Sequence, residues 1–179
     1  RCCDMAKVNK VDFYCGAFLS YLISNKVEPT LFNANEKSKV VQFLLKNTDY
    51  NVYVKYVSAG KLLNIKGKQH TRWEVIFQKS ERDYLVNDFC KSNFKNIVVL
   101  VCANKDFKDT YFAILTYDQA IQCLGNDAIN NQFRISVKHQ KKSPNAYCYG
   151  TALSDNNAIA IPYNVDTFFG FNDKVVATT

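Results

Sequence analysis

Apolar side chains at Val11, Tyr14, Cys15, Phe18 and Leu22 recur at three- and four-residue intervals and predict a helix over Val11–Ser24. Pro29 lies beyond its end, as expected after a helix stop. The period then shortens. Lys39–Leu45 and Tyr50–Val57 read as strands joined by the polar turn Lys46, Asn47, Thr48 and Asp49, a hairpin by length and composition. Ser58–Thr71 reads as a polar, Lys-rich connection holding Gly60 and Gly67, and Arg72–Phe77 as a third strand. Ser80 is placed to cap a helix, with Asp83 standing in for the Glu of a capping box. That helix is expected to run to about Cys90, with Tyr84, Leu85 and Phe89 inward. Ile97–Ala103 is a continuous apolar run with β-branched residues, suited to a central strand covered on both faces. Tyr111–Leu115 predicts the next strand. Thr116, Tyr117, Asp118 and Gln119 open a short helix ending near Leu124, with Gly125 as its C-cap. Phe133–His139, Ala146–Gly150 and Ala158–Pro162 predict closing strands.

This order predicts an α/β fold, with a mixed β-sheet flanked by helices. No internal repeat or linker divides the chain, so residues 1–179 are expected to form a single domain. Its core would span 11–125, with additional strands in 133–162 and a C-terminal tail at 163–179. A chain of 179 residues buries an ordinary core without disulfide staples. At 47% hydrophobic and 22% charged it is globular in composition, and six Gly with three Pro exclude collagen-like and low-complexity readings.

The longest apolar stretches fall far short of the roughly 20 residues of a membrane span, so no membrane partner is expected. Val11–Ile23 is interrupted by Asp12, Ser20 and Tyr21 and is followed by no small-residue cleavage site, which does not fit a secretory signal. Seven Cys, odd in number and irregularly spaced, do not make a disulfide scaffold; Cys102 falls in a strand, Cys90 and Cys123 in helices, and Cys2 and Cys3 near the terminus. No C-x-x-C pair occurs, and His70 and His139 are the only histidines, so the usual structural zinc pattern is absent. A reducing, cytoplasmic location is expected.

Charge changes the picture through its distribution. The net charge is +7, and the basic residues concentrate in two segments. One runs from Lys55 to Arg82 and carries Lys61, Lys66, Lys68 and Arg72; the other, Arg134–Lys142, holds Lys138, Lys141 and Lys142 and no acid. Basic loops of this kind suit contacts to phosphate, which makes DNA or RNA the expected partner. A solvated surface is the plainer reading of both segments. Tyr53, Tyr56 and Trp73 are placed to stack on bases or, more simply, to fill a core. No Walker loop, G-x-G-x-x-G, G-x-S-x-G or H-E-x-x-H motif is present.

An N-terminal helix, a hairpin, a third strand, a helix and a buried strand, with Lys55 interrupting the apolar strand Tyr50–Val57, resemble the PD-(D/E)XK or restriction-endonuclease-like superfamily. The resemblance covers about Val11–Ala103. It implies a nuclease-like fold in which acids on neighbouring strands hold Mg2+ or Mn2+ and a lysine assists the attacking water. Lys55 takes the position of that lysine. Two residues before it, where the family carries an acid, stands Tyr53, and Gln42 is the polar interior residue of the preceding strand. Glu36, Asp49 and Glu74 are then the candidate metal ligands, and with Lys55 the candidate catalytic set. Against this stand simpler readings: Lys55 as a lysine with a packed stem, Asp49 as a turn residue, Glu74 as a solvent-facing strand position, Asp106 and Asp109 as a polar loop. The expected function is nucleic-acid binding, with metal-dependent cleavage as its catalytic form. The alternative is a non-catalytic protein-interaction or regulatory domain.

Overall fold

The structure is a computed structural model that describes residues 8–105 and 109–171. The first helix, α1 (Lys10–Ser24), starts where Asn9 accepts a hydrogen bond from the Asp12 amide and Asp12 accepts one from Asn9 in return. It buries Val11, Tyr14, Cys15, Phe18 and Leu22, the stripe that the spacing predicted. β1 (Thr30–Asn35), β2 (Ser38–Leu45) and β3 (Thr48–Val57) follow as an antiparallel meander. Lys46 and Asn47 turn the β2–β3 hairpin with positive φ at both positions, the geometry whose twist matches that of paired strands. β4 (Lys61–Ile65) and β5 (Lys68–Gln78) form a second such hairpin around Lys66 and Gly67. After α2 (Lys79–Asn87) come β6 (Lys95–Ala103), β7 (Thr110–Thr116), α3 (Tyr117–Leu124), β8 (Gln132–Gln140), β9 (Asn145–Gly150), β10 (Ile159–Pro162) and α4 (Val165–Phe169).

The α/β class stands, but the strands divide between two sheets where one mixed sheet was expected. The first is mixed and runs β1-β2-β3-β6-β7, with β6 parallel to β3; the second is antiparallel and runs β10-β9-β8-β5-β4. The two face each other across one core. Tyr53, Val98, Leu100 and Leu115 of the first sheet meet Trp73, Val75, Phe77, Ile135 and Val137 of the second, with α2 and α3 adding Leu85, Cys123 and Leu124. Tyr14, Phe18 and Leu22 of α1, with Phe169 of α4, cover the other face of the first sheet. β6 is therefore covered on both sides, which accounts for its unbroken apolar run. The far face of the second sheet is left to solvent, and β5 alternates accordingly.

Several boundaries move. β1 was not anticipated, and the segment read as a polar connection is β4 with the first half of β5. Gln78, not Ser80, is the N-cap of α2, and Glu81 rather than Asp83 completes its capping box; Cys90 lies in a 3-10 turn, Phe89–Lys91, after the helix. The expected tail contains α4. Gly125 closes α3 at φ 72°, and Thr116 with Gln119 caps its start, as the sequence indicated. Cys2, Cys3 and Asp106 lie outside the described residues. Among the described residues five cysteines are free thiols, and no helix is long and apolar enough to cross a membrane.

Candidate nucleic-acid interface

Pairing between β5 and β8 brings the two basic segments together. Lys61 on β4 lies opposite Arg72 on β5, and Arg72 opposite Lys138 on β8. These three cations form one row across the outer face of the second sheet. Lys66 and Lys68 stand at the tip of the β4–β5 hairpin. The Lys141 amide donates to the carbonyl of Gln69, which fixes the turn after β8 beside that hairpin. Lys61, Lys66, Lys68, Lys141 and Lys142 are exposed. The other two cations are engaged. Lys138 Nζ contacts both carboxylate oxygens of Asp155 at 2.5 and 2.6 Å and lies 5.7 Å from the Tyr149 ring centre. Arg72 pairs with Glu74 at 3.5 Å, and Arg134 approaches the same carboxylate at 3.5 Å.

The two sheets part at the end nearest this hairpin, leaving a cleft of about 500 Å³. Leu62, Gln69, Thr71, Trp73, His139, Lys141 and Lys142 line it from the second-sheet side, Asn104, Asp109, Thr110 and Tyr111 from the first, and Tyr163, after β10, completes the lining. Its aromatic wall is a column: His139 stacks on Tyr163 at 3.5 Å and 6°, Tyr163 on Tyr111 at 4.4 Å, and Tyr111 tilts against Trp73 at 6.2 Å. The polar atoms of that wall are tied back to the fold. Trp73 Nε1 donates to the Ala103 carbonyl at 3.1 Å and the Tyr111 hydroxyl to the Pro162 carbonyl at 3.1 Å. His139 Nε2 lies 2.9 Å from the Ser143 carbonyl. A carbonyl only accepts, so Nε2 carries a proton.

No family model, curated protein or solved structure matches this chain.

The proposed catalytic set is dispersed. Lys55 is buried in β3, and its ammonium meets Glu81 Oε1 at 2.5 Å and lies 5.1 Å from the Phe77 ring centre. The Tyr53 hydroxyl donates to the same oxygen at 3.3 Å, and the Gln78 amide donates to Oε2 at 2.8 Å. Burial pushes the Lys55 pKa down, with the Glu81 contacts opposing it; burial, then the Glu81 charge, pushes the Tyr53 pKa up. Glu36 is exposed in the β1–β2 turn, and Asp49 is exposed at the far end of β3, six residues or about 20 Å of strand from Lys55. Glu74 belongs to the other sheet and is held by two arginines. These three acids do not converge on one centre for Mg2+ or Mn2+. The acid that does reach Lys55 is Glu81, which the sequence shows only as a Glu three residues after Gln78 in a helix start.

Proposed function

We propose that this chain is a nucleic-acid-binding domain that contacts the phosphate backbone through the β4–β5 hairpin and the turn after β8. One observation carries the reading. Five exposed lysines, Lys61, Lys66, Lys68, Lys141 and Lys142, come from two segments far apart in the chain that β5–β8 pairing brings to one end of the second sheet, where Lys141 and Lys142 line an aromatic-walled cleft. Lysines on a hairpin tip suit a phosphate chain, whose binding rests on counterion release and so weakens with salt. In the finer, restriction-endonuclease-like reading, α1, β1–β3, α2 and β6 form the core, and Lys55 is the motif lysine. The hairpin β2–β3 followed by a parallel β6 favours that arrangement. Because the acids near Lys55 do not supply a shared metal centre, the reading is one of binding, with Lys55 in a structural role.

Fluorescence anisotropy with labelled duplex DNA, single-stranded DNA and RNA at two salt concentrations tests it. Affinity is expected to fall steeply with salt, and Lys66→Ala/Lys68→Ala to reduce the slope of log K against log salt by about 2 if each lysine meets one phosphate. Salt-independent binding, or none at low salt, overturns the reading in favour of an interaction domain. Cleavage in Mg2+ or Mn2+ that Lys55→Ala abolishes would return the domain to the nucleases.

A further inference from the structure

We propose that the cleft between the two sheets seats a single nucleotide, its base against the aromatic wall and its phosphate on Lys141 and Lys142. The inference rests on the nucleic-acid reading and names what that interface captures: an unpaired nucleotide of a strand, rather than a stretch of duplex. Three features of the cleft select this chemistry. Its volume, about 500 Å³, suits a ligand of nucleotide size and excludes a paired helix. Its wall is aromatic, and because Tyr163 lies stacked between His139 and Tyr111 it offers ring edges, which the face of a base meets in edge-to-face contact and a sugar or a bare anion leaves unused. Its charge is divided: Lys141 and Lys142 border it from the second sheet, while Asp109 stands on the first-sheet side. A ligand anionic at one end and neutral but hydrogen-bonding at the other fits that division. A phosphate beside Asp109 would be repelled, whereas the N–H groups of a base would meet an acceptor there.

The wall needs little rearrangement to serve. Trp73, Tyr111 and His139 each have a polar atom bonded to a backbone carbonyl. Gly60 packs so closely on Trp73 that an added Cβ would sit 2.7 Å from Nε1. The indole is thus fixed at its Nε1 edge, and little side-chain ordering remains to oppose binding.

Trp73 is also the chain's one tryptophan, so its fluorescence reports on this cleft alone. The experiment titrates the full chain with a nucleoside 5′-monophosphate, the matching nucleoside, inorganic phosphate and a short single-stranded oligonucleotide, reading Trp73 emission and, separately, anisotropy of the labelled oligonucleotide. The expected result is saturable quenching by monophosphate and oligonucleotide, with inorganic phosphate silent. Lys141→Ala/Lys142→Ala is expected to weaken the monophosphate by roughly tenfold and leave the nucleoside unchanged, since only the phosphate contact is lost. Both lysines are exposed, so this variant keeps its fold. Oligonucleotide binding by anisotropy with unchanged Trp73 emission overturns the cleft proposal and leaves the interface standing. Quenching by the monophosphate without oligonucleotide binding overturns the strand assignment and the interface together, and identifies a free-nucleotide site. Absence of both signals overturns both.

Discussion

At the scale of single residues, Lys55 and Glu81 hold each other inside the protein. Removing one leaves the other as a lone charge in the buried interior, which costs about 3–5 kcal/mol. Lys55→Ala and Glu81→Ala are each expected to lose that much in urea unfolding. The apolar pair Lys55→Met/Glu81→Leu should recover most of it, because it leaves no lone charge. A double variant as unstable as the single ones would show that the pair itself is needed. The buried thiols lower stability at alkaline pH. Burial pushes Cys15 up from 9.0 to about 11 and Cys123 up to about 12. From about pH 9 the unfolded chain releases protons that the folded chain keeps, so stability falls as pH rises from 9 towards 12. Cys15 and Cys123 both contribute to that fall. Lys55 runs the other way, since its folded value lies below 10.5 and its share of stability grows as pH rises towards 10.5. Urea midpoints at pH 8 and pH 10 should differ by less in Cys15→Ala than in the unaltered chain. Sequence patterning marks Lys55, because a lysine inside an apolar strand is visible in one dimension. Its partner is not, because Glu81 reaches it from a helix 26 residues away.

At the scale of elements, periodicity served where one face was apolar. α1, β2, β3, β6 and α3 lie within two residues of their expected bounds. β1 and β4 escaped because their side chains are mostly exposed, so no alternation between buried and solvent-facing positions is written into them. Their order comes from hydrogen bonds to β2 and β5. Gln42, noticeable as a polar residue in an apolar strand, donates to Asn51 at 3.1 Å, and Asn51 donates to Asn96 at 2.9 Å. This ladder crosses β2, β3 and β6 where pairing changes from antiparallel to parallel, and a slip of either strand would break it. Gly150 does comparable work in the second sheet. There β9 passes so close to β8 and the end of α3 that a Cβ would overlap the carbonyl oxygens of Arg134 and Cys123. Gly150→Ala is expected to cost about 3 kcal/mol, as overpacking against rigid backbone does, read as a lowered thermal midpoint. A midpoint within a degree of the unaltered chain would mean that α3 can move away.

At the scale of the whole molecule, the pattern of apolar positions told which residues were inside but not which sheet they entered. A strand with one buried face serves either sheet equally well, and the choice depends on contacts between distant segments. The candidate site was half legible for the same reason. The lysines were visible as two basic runs; the aromatic column was not, since Trp73, Tyr111, His139 and Tyr163 belong to separate elements and meet only when the sheets face each other.

The chain visits the first sheet, then the second, then returns to the first and again to the second. Severing it between β6 and β7 would therefore give two polypeptides, neither owning a whole sheet. Each would lack the strands that complete the other, and the cleft would have one wall residue set on each piece. Such halves are expected to be insoluble apart and to reassemble when co-expressed, with Trp73 on one half reporting the arrival of Tyr111 and Tyr163 on the other. The domain would then serve as a two-part reporter whose signal exists only when both parts meet.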